Sequence, residues 1–537
     1  MGRYRYVAVL AVAVMASLVA LPDGAQAAGS RSAAAEAGVG ALPAACAHPG
    51  AAHLGHCYLS VEPASAPPLA AAQAVTCAVD EAAGYTPCNL QNAYGLTKLA
   101  KTGGNGVTVA VVDANDDPNA ASDLAFYRSH FGLPACTVKS GCFTKVNQSG
   151  QTSPLPTPDP NQAQEIALDL EMVSVSCPHC HLLLVEANSN GFGDLGTAEN
   201  EAVTLGARVV SNSWGTGEFN GETGWDGEWD HPGVAITFSS GDGAYQGGVQ
   251  YPSASPYVTS VGGTELTPTA VGRGWTEGAW VTAGPNPPTQ GSGSGCSAYE
   301  PKPMWQKDTG CARRTTADVS AVAANVLSYD TYQGSGWYFS FGTSVSSPLV
   351  AGIYGLAANP TSITIPASVA YSAPAKSLFD IVTGQTGTCH PTYLCKARKG
   401  YDGPTGMGSP HGIGAFQIAA TPPPAVTGVT RSGTSSNPTI TISGVNLGDF
   451  PPIGTPETCQ AGDTGDIYGA SGLWFSDVTT GWTAGQSGDC IGLVVSSWSS
   501  TQVTFTFGNQ YGNYPPIGTG DSFSVEVQGA GLSGTLN

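Results

Sequence analysis

Apolar residues recur in short runs from Gly106 onwards, and amphipathic segments separate these runs from one another. The first run, residues 107–112, is dominated by β-branched side chains and ends at Asp113, which predicts a buried parallel strand. The same reasoning predicts helices at 120–131 and 162–175, and strands at 181–186, 207–211, 234–239 and 258–261. Strands that alternate with helices predict an α/β fold, with a parallel sheet flanked by helices on both faces.

The apolar pattern changes after residue 420. Residues 421–427 contain three consecutive prolines and predict a stiff linker. Residues 428–537 then show short alternating strands, with candidates at 439–442, 493–495 and 503–507, divided by Gly, Asn and Pro turns. We expect this region to form a C-terminal all-β Ig-like sandwich.

The N-terminal residues predict an exported protein. Residues 1–27 combine a basic start, a short apolar core and an A-x-A end, which is typical of a secretory signal peptide. Residues 28–84 are rich in Ala, Pro and Gly, and we expect a loosely structured leader or short pro-segment there. The protein is therefore expected to be secreted and extracellular, with no membrane-spanning segment.

The cysteines support export. The chain has 14 of them, an even number that is typical of a disulfide-bonded secreted protein. They fall in close couples, and we predict that neighbours pair: Cys46 with Cys57, Cys77 with Cys88, Cys136 with Cys142, Cys177 with Cys180, Cys296 with Cys311, Cys389 with Cys395, and Cys459 with Cys490.

The charge balance excludes some classes of partner. The net charge is −20 with only 19 Lys and Arg residues, which argues against nucleic acid or an anionic membrane as a partner. A chain with few basic residues also avoids strong positive repulsion at low pH, where its carboxylates lose their charge. This balance favours an acidic working environment.

The 162–175 helix carries two carboxylates in an unusual position. At about 100° per residue, Glu165 and Asp169 fall within the apolar arc, whereas Gln164, Glu171 and Ser174 lie on the opposite, polar side. Two buried like charges one turn apart destabilise a fold unless they share protons or find partners, and shared protons are what acid–base chemistry at low pH requires. The alternative is a structural pair held by a lysine or by backbone groups elsewhere.

A serine at a loop-to-helix junction is the candidate nucleophile. Ser344 follows a small-residue turn and precedes the apolar run 349–353, so free backbone N–H groups would surround its hydroxyl. The alternative is an ordinary N-cap serine. None of the nine histidines stands in a segment suited to a base, which disfavours a Ser/His/Asp site even though Asp113 ends the first strand.

A third acid, Asp242, follows the predicted strand 234–239 within a Ser-Gly-Asp-Gly sequence. An ordinary turn explains Gly-Asp-Gly by itself. Its place at the carboxyl end of a strand, where sites of α/β proteins are built, favours a functional role. A protonated carboxyl group there could donate a hydrogen bond to a developing oxyanion.

These segments together resemble one family, the sedolisins or serine-carboxyl peptidases, whose fold is similar to that of subtilisin. The resemblance covers residues 85–420, the predicted peptidase domain, and rests on strings that occur in the family's order: EIALDLE at 165–171, SNSWG at 211–215, SSGDG at 239–243, YPSASPYVTSVGGTEL at 251–266, ADVSA at 317–321 and GTSVSSP at 342–348.

The resemblance implies a role for each candidate. Ser344 would be the nucleophile, Glu165 its general base and Asp169 the residue that orients Glu165. Asp242 would be the acid on the oxyanion side, and Trp214 would belong to the network around the glutamate. The implied fold is a subtilisin-like parallel sheet flanked by helices.

The resemblance also implies one structural calcium ion near the end of the peptidase domain. Asp380 and Asp402 would supply carboxylate oxygens, and Ile381, Arg398 and Gly400 would supply backbone carbonyls, an all-oxygen set that suits Ca²⁺. The alternative is a pair of loop aspartates without an ion.

The chain departs from the family in a few places. Phe341 stands where serine usually precedes the Gly-Thr-Ser sequence, Arg398 replaces a usual glycine, and Ala317 replaces a common proline. Residues 28–84 are also shorter than the long folded pro-domain that the family normally carries.

We therefore predict a secreted endopeptidase that cleaves polypeptides at acidic pH through a Ser/Glu/Asp triad and an acyl-enzyme. The alternative is a catalytically silent extracellular protein that binds a polymer or surface ligand through its C-terminal domain. Aromatic residues that could form such a platform are Trp474, Trp482, Trp498, Tyr511 and Tyr514. We expect a monomer in either case.

Overall fold

The computed structural model describes residues 53–66, 77, 81–282, 288–358, 365–417, 425–445, 447–448, 463, 465, 467, 472–486, 488–528 and 530–536. The predicted signal peptide at 1–27, the leader before residue 53 and the prolines of the linker lie outside the described residues. Within the described part, no helix is long and apolar enough to cross a membrane.

The centre of the first half is an eight-stranded sheet. Its strands lie side by side in the order Trp275–Ala279, Thr259–Pro268, Ala235–Ser239, Val209–Asn212, Thr108–Ala114, His181–Ala187 and Phe143–Asn147, and Val319–Val322 also pairs with Thr259–Pro268. Every pairing is parallel except that of Thr259–Pro268 with Trp275–Ala279. The predicted parallel sheet is confirmed.

Both faces of this sheet are covered, as the apolar runs require. Val109 and Val111 point into one hydrophobic core, and Ala110 and Val112 point into another. Helix Phe192–Thr204 packs on the second face, and the first face receives helices Ala120–His130, Pro160–Ser176 and Thr343–Leu356. The smaller elements of this half are helices Pro87–Ala93 and Ser368–Ser372 and strands Gln250–Tyr251, Gly295–Pro301, Arg313–Thr316, Val326–Asp330, Leu378–Phe379 and Ser409–Pro410.

Helix Pro160–Ser176, called here the carboxylate helix, has a well-defined start. The Asp159 side chain accepts hydrogen bonds from the N–H groups of Asn161 and Gln162 at 2.9 and 3.0 Å, and Pro160 occupies the first turn, where it loses no hydrogen bond. These caps place the two predicted carboxylates near the middle of the helix.

The polar side of the carboxylate helix is buried as well, which the sequence pattern did not predict. Glu171 and Ser174 are fully buried. Glu171 accepts a hydrogen bond of 3.0 Å from the Tyr329 N–H, and the Arg128 guanidinium donates one of 2.7 Å to the Ser174 hydroxyl. Neighbouring elements supply these partners, and of the polar atoms of these two side chains only Oε1 of Glu171 lacks one among the described residues.

Part of the leader is ordered, contrary to the expectation of a loose segment. Strand His56–Cys57 pairs antiparallel with Trp214–Gly217, and strand Ser60–Pro63 pairs antiparallel with Gly336–Phe341. Backbone hydrogen bonds therefore hold residues 56–63 against the peptidase domain.

The predicted neighbour disulfides are present wherever both cysteines are described: Cys77–Cys88, Cys136–Cys142, Cys177–Cys180, Cys296–Cys311 and Cys389–Cys395. Cys57 and Cys490 are also disulfide-bonded, and their predicted partners, Cys46 and Cys459, lie outside the described residues.

The C-terminal region is all-β, as predicted. One antiparallel sheet contains Ala425–Thr434, Asn437–Val445, Gln502–Phe507 and Leu493–Trp498, and the other contains Trp482–Ala484, Leu473–Asp477, Ser522–Val527 and Ala530–Thr535. Side chains from both sheets share one hydrophobic core, including Ile440, Phe505, Phe475 and Val525. Its first strand begins at Ala425, inside the predicted linker, and an Ig-like connectivity remains a prediction.

The aromatic residues of this region do not form one exposed platform. Trp482 and Tyr511 are buried in the core, and the Trp482 indole N–H donates to the Pro515 carbonyl at 3.0 Å. Trp498 is half-buried, and its indole N–H donates to the Gly448 carbonyl at 2.8 Å. Their main role is packing.

Candidate active site

Ser344 lies at the start of helix Thr343–Leu356, directly after the turn at Gly342. The Tyr58 N–H donates a hydrogen bond of 3.1 Å to its Oγ, and the Ser344 hydroxyl donates one of 3.3 Å to the Ser213 carbonyl. The side chain is fully buried. This hydroxyl therefore faces the ordered part of the leader and not open solvent.

Glu165 and Asp169 face Ser344 from the carboxylate helix, and both are fully buried. The Ser213 hydroxyl donates a hydrogen bond of 2.9 Å to Asp169 Oδ1. Among the described residues, no donor forms a hydrogen bond of good geometry with the Glu165 oxygens. The Ser344 hydroxyl and the Asp169 carboxyl nevertheless lie close enough to shift the pKa of Glu165. The structure thus brings the three predicted residues together.

Burial dominates the electrostatics of this pair. It raises the pKa of Glu165 well above its usual range, the charge of Asp113 raises it further, and the Ser344 hydroxyl opposes the shift. Burial, followed by the charge of Glu165, likewise raises the pKa of Asp169. A pair of this kind retains a proton that an exposed carboxylate would lose.

Asp113 is a site residue whose importance the sequence reasoning missed. It is buried at the end of strand Thr108–Ala114, and among the described residues neither of its oxygens has a hydrogen-bond donor. Burial and then the charges of Asp169 and Glu186 raise its pKa. The signal in the sequence is an apolar strand that ends in an acid, but that pattern by itself indicates only the aspartate of a Ser/His/Asp site.

Asp242 lies on the other side of Ser344. Its Oδ1 accepts hydrogen bonds from the Thr343 N–H at 2.8 Å and from the Thr343 hydroxyl at 2.9 Å. Burial raises the pKa of Asp242 to about 8, although these hydrogen bonds lower it. At acidic pH this carboxyl group is therefore protonated and able to donate a hydrogen bond.

Gly342 allows these groups to approach one another. Its φ is 128°, in the region that favours glycine, and a Cβ on it would lie 2.0 Å from the Tyr58 carbonyl oxygen and 2.5 Å from Asp242 Oδ2. The glycine thus leaves room for a carbonyl oxygen beside the second oxygen of Asp242.

The structure gives Trp214 and Phe341 structural roles. The Trp214 indole N–H donates a hydrogen bond of 2.9 Å to the carbonyl of Val112, which precedes Asp113, and its part in the network around Glu165 stays a prediction. Phe341, half-buried at the end of strand Gly336–Phe341, packs against Trp280 and Ala323.

The predicted calcium residues lie close together. The Gly400 N–H donates to both oxygens of Asp380 at 3.1 Å, and the Arg398 N–H donates to Asp402 Oδ2 at 2.9 Å. Burial raises the pKa of Asp402 to about 7, hydrogen bonds from Arg398 and Thr405 lower it, and the charge of Asp380 raises it. Two neighbouring carboxylates that repel each other fit a cation site.

No group of three or more His, Cys, Asp or Glu side chains forms a metal cluster among the described residues. A cation near Asp380 and Asp402 would therefore depend on backbone carbonyls for the rest of its shell, as the resemblance implies for Ile381, Arg398 and Gly400. Such oxygen ligands suit calcium and disfavour softer metals.

The arrangement around Ser344 has the groups that acyl transfer requires. A hydroxyl lies beside a buried carboxyl pair, and a backbone N–H and a third carboxyl group converge on its other side. Comparison with known proteins agrees with this picture. The subtilase family matches residues 160–372, which include Glu165, Asp169, Asp242 and Ser344.

Sedolisin from Pseudomonas sp. (strain 101) is 28% identical over 375 residues, covering 63% of this chain and 61% of that protein. Kumamolisin from Bacillus sp. (strain MN-32) is 28% identical over 362 residues, covering 62% of this chain and 63% of that protein. A structure of Pseudomonas sedolisin, a serine-carboxyl proteinase complexed with two molecules of pseudo-iodotyrostatin, matches with a TM-score of 0.53 and 26% identity, covering 61% of this chain and 95% of that chain. The chain is therefore similar to sedolisins in sequence and in fold.

Together with the parallel sheet, the match to the sedolisin structure supports a subtilisin-like α/β fold. The chain spans about three-fifths of the length of the curated relatives it matches, 61% and 63%.

Proposed function

We propose that this chain is a member of the sedolisin family and a secreted serine-carboxyl endopeptidase that hydrolyses peptide bonds of polypeptides at acidic pH. One observation carries the proposal: Ser344 lies between the buried pair Glu165 and Asp169 on one side and the proton-retaining Asp242 on the other. The resemblance of the catalytic strings and the similarity to two peptidases support it.

In the first step, the Ser344 hydroxyl attacks the carbonyl carbon of the scissile bond and Glu165 takes its proton. Asp169, held by the Ser213 hydroxyl, orients Glu165 and stabilises the shared proton. Glu165 then returns a proton to the leaving amine, and an acyl-enzyme on Ser344 remains. Water hydrolyses this ester through the same groups.

The tetrahedral oxyanion would be stabilised from the opposite side. The Ser344 backbone N–H and the protonated Asp242 both point towards the space beside Gly342. Loss of one donor of this kind typically costs about 3 kcal/mol of transition-state stabilisation. Asp242 supplies this donor only while it is protonated, which favours activity in acid.

The calcium site, the extracellular location, the monomeric state and the polymer ligand that the sequence predicts are part of the same proposal. Asp380 and Asp402, with the carbonyls of Ile381, Arg398 and Gly400, would hold one structural Ca²⁺, which would neutralise two adjacent carboxylates and fix the loop. The disulfide bonds support an extracellular location. A monomer remains our expectation, and the C-terminal sheets remain a candidate for binding a polymer.

The experiment that tests the proposal compares cleavage of a denatured protein at about pH 4 and about pH 7. Wild type is expected to cleave at the lower pH, and Ser344→Ala is expected to be inactive at both. Glu165→Gln should lose activity to a similar extent because no base remains. Equal cleavage by wild type and Ser344→Ala would refute the proposal.

A further inference from the structure

Residues 53–58 cross the candidate active site in an extended conformation and mark a path for a bound polypeptide. The Ser344 N–H donates a hydrogen bond of 3.3 Å to the Tyr58 carbonyl oxygen. The same oxygen lies beside Asp242 Oδ2, in the space that Gly342 leaves free. That is where the proposed reaction requires the carbonyl of the scissile bond. A substrate that binds in place of this segment would therefore put the residue before its cleaved bond at the position of Tyr58.

The fold holds the backbone of this path well beyond the reacting bond. Strand His56–Cys57 pairs antiparallel with strand Trp214–Gly217. Farther along, the Phe192 N–H donates a hydrogen bond of 3.0 Å to the His53 carbonyl. Backbone bonds of this kind hold an extended polypeptide in register whatever its side chains are. The residue at position 53 is the sixth counted back from the bond that follows Tyr58, so the fold fixes the place of a substrate's sixth residue.

The His53 side chain lies among three aromatic rings, Phe192, Phe219 and Trp225, which we call the aromatic cage. The centroid of the imidazole ring is 4.4 Å from that of Phe219, 5.8 Å from that of Trp225 and 6.5 Å from that of Phe192. Phe192 is buried, and its centroid lies 6.0 and 5.9 Å from those of the other two rings, which are half-buried. The rings contact one another without His53, so the cage can receive another occupant.

The segments that build the aromatic cage favour a positively charged side chain. Residues 189–204 and 218–230 contain three and five acidic residues respectively, and neither segment contains a lysine or an arginine. A cation within about 6 Å of an aromatic ring centroid is attracted by the negative face of the ring, and this attraction does not require an ionised acid. The cage thus combines ring faces with the absence of any lysine or arginine in its own segments that would repel a cation. Histidine, its occupant here, is itself positively charged in acid.

We propose that the aromatic cage is a substrate subsite that selects a basic side chain, Lys, Arg or protonated His, at the sixth residue before the cleaved bond. The proposal rests on the proposed peptidase function and deepens it by naming a class of substrate. The Phe192 N–H sets the distance of this residue from Ser344, and the rings of Phe219 and Trp225 attract its charge. Because His53 is exposed on its outer side, we expect a modest preference, about threefold in kcat/KM.

The first test maps the bonds that the protein cleaves in a mixture of denatured proteins at about pH 4. In wild type, Lys, Arg and His should be enriched by about threefold at the sixth residue before the cleaved bond. Phe219→Leu keeps an apolar side chain but removes the ring, so the enrichment should disappear while preferences at other residues stay unchanged. Tyr332→Leu is the matched control, at a half-buried aromatic residue between strands Val326–Asp330 and Gly336–Phe341, and should retain the enrichment.

The second test separates charge from apolar contact. Two synthetic peptides, built on the bond that the protein cleaves fastest in the mixture, carry either Lys or norleucine at the sixth residue before that bond. Wild type should cleave the Lys peptide with a kcat/KM about threefold higher, mainly through a lower KM, because the cage is remote from the reacting atoms. In Phe219→Leu and Trp225→Leu the value for the Lys peptide should fall to that for the norleucine peptide, and the latter should stay as in wild type.

The outcomes separate the subsite from the reaction. Cleavage through Ser344 with no preference for a basic sixth residue would show that the inference is wrong and would leave the proposed function standing. An equal loss for both peptides in the cage variants would give the rings a purely structural role and would also overturn the inference. If wild type cleaves the mixture no better than Ser344→Ala, the proposed function is wrong, and the subsite falls with it.

Discussion

At the scale of single residues, the site is governed by carboxyl groups that are kept from water. Glu165, Asp169 and Asp113 are buried together, and each raises the pKa of a neighbour. Their mutual repulsion would be costly if all were ionised, so protons must be shared among them. A cluster that retains protons can serve as both acid and base over a pH range in which an exposed carboxylate, already ionised, could only be a base.

Asp113→Asn tests this electrostatic coupling. The charge of Asp113 raises the pKa of Glu165, and an amide removes that repulsion. The acidic limb of the kcat/KM profile should therefore move to lower pH. Glu199→Gln, at a carboxyl group that is equally buried but belongs to helix Phe192–Thr204, is the control and should leave this limb in place. An unmoved limb in Asp113→Asn would contradict the coupling.

At the scale of elements, the site depends on the junction between strand Gly336–Phe341 and helix Thr343–Leu356. Gly342 turns the chain so that the first N–H groups of the helix and the Ser344 hydroxyl face the same space. Thr343 fixes Asp242 through two hydrogen bonds. The junction therefore positions the nucleophile and both oxyanion donors together.

Gly342→Ala should reduce kcat by about 100-fold, because a methyl group there would displace Asp242 or the substrate carbonyl. Gly206→Ala is the matched control: it also has a positive φ, 92°, but a Cβ there meets nothing within 4 Å. It should cost about 1 kcal/mol of stability through backbone strain and leave kcat unchanged. A kcat loss of equal size in both variants would show that strain, not the site, is responsible.

The loop that carries Asp380 and Asp402 gives a second prediction at this scale. If it holds Ca²⁺, a chelator should lower Tm by several degrees and added Ca²⁺ should restore it, since a ligand that binds only the folded state stabilises that state. In Asp402→Asn the response to Ca²⁺ should disappear, whereas Asp230→Asn, at an exposed acid, should respond like wild type. A Tm of wild type that is insensitive to both chelator and Ca²⁺ would contradict the site.

At the scale of the whole molecule, buried acids are spread over both sides of the sheet and through the loops. Burial raises the pKa of Glu186 and Glu199 to about 8 and that of Glu222 to about 9. In the unfolded chain such groups lose their protons near pH 4, so between that pH and the folded values the folded state holds more protons. The net charge of −20 adds repulsion at neutral pH.

Stability should therefore be highest in acid and should fall as the pH rises from about 4 to about 8. Calorimetric Tm values across this range measure the trend directly. Glu199→Gln should flatten part of the slope, because an amide does not ionise. A Tm that rises steadily over the same range would contradict the burial of these acids.

The sequence pattern predicts some elements of the fold and of the site, but not others. The period of apolar residues was sufficient for the parallel strands and for the carboxylate helix, because both are local patterns. The burial of Glu171 was not predictable, since its partner is the distant Tyr329 N–H. The role of Asp113 was not predictable either, because it depends on the neighbours that the sheet brings to it. The order of residues 56–63 was also not predictable, because it comes from pairing with distant strands.

The central claim is that Ser344 forms an acyl-enzyme in acid with the help of Glu165. The most direct measurement mixes processed protein with p-nitrophenyl acetate at about pH 4, quenches the reaction in strong acid and locates the acetyl group by peptide mass. In wild type the acetyl group should be found on Ser344, in Glu165→Gln it should form much more slowly, and in Ser344→Ala it should be missing from this peptide. An acetyl group on another residue, with peptide-bond cleavage retained in Ser344→Ala, would contradict the account.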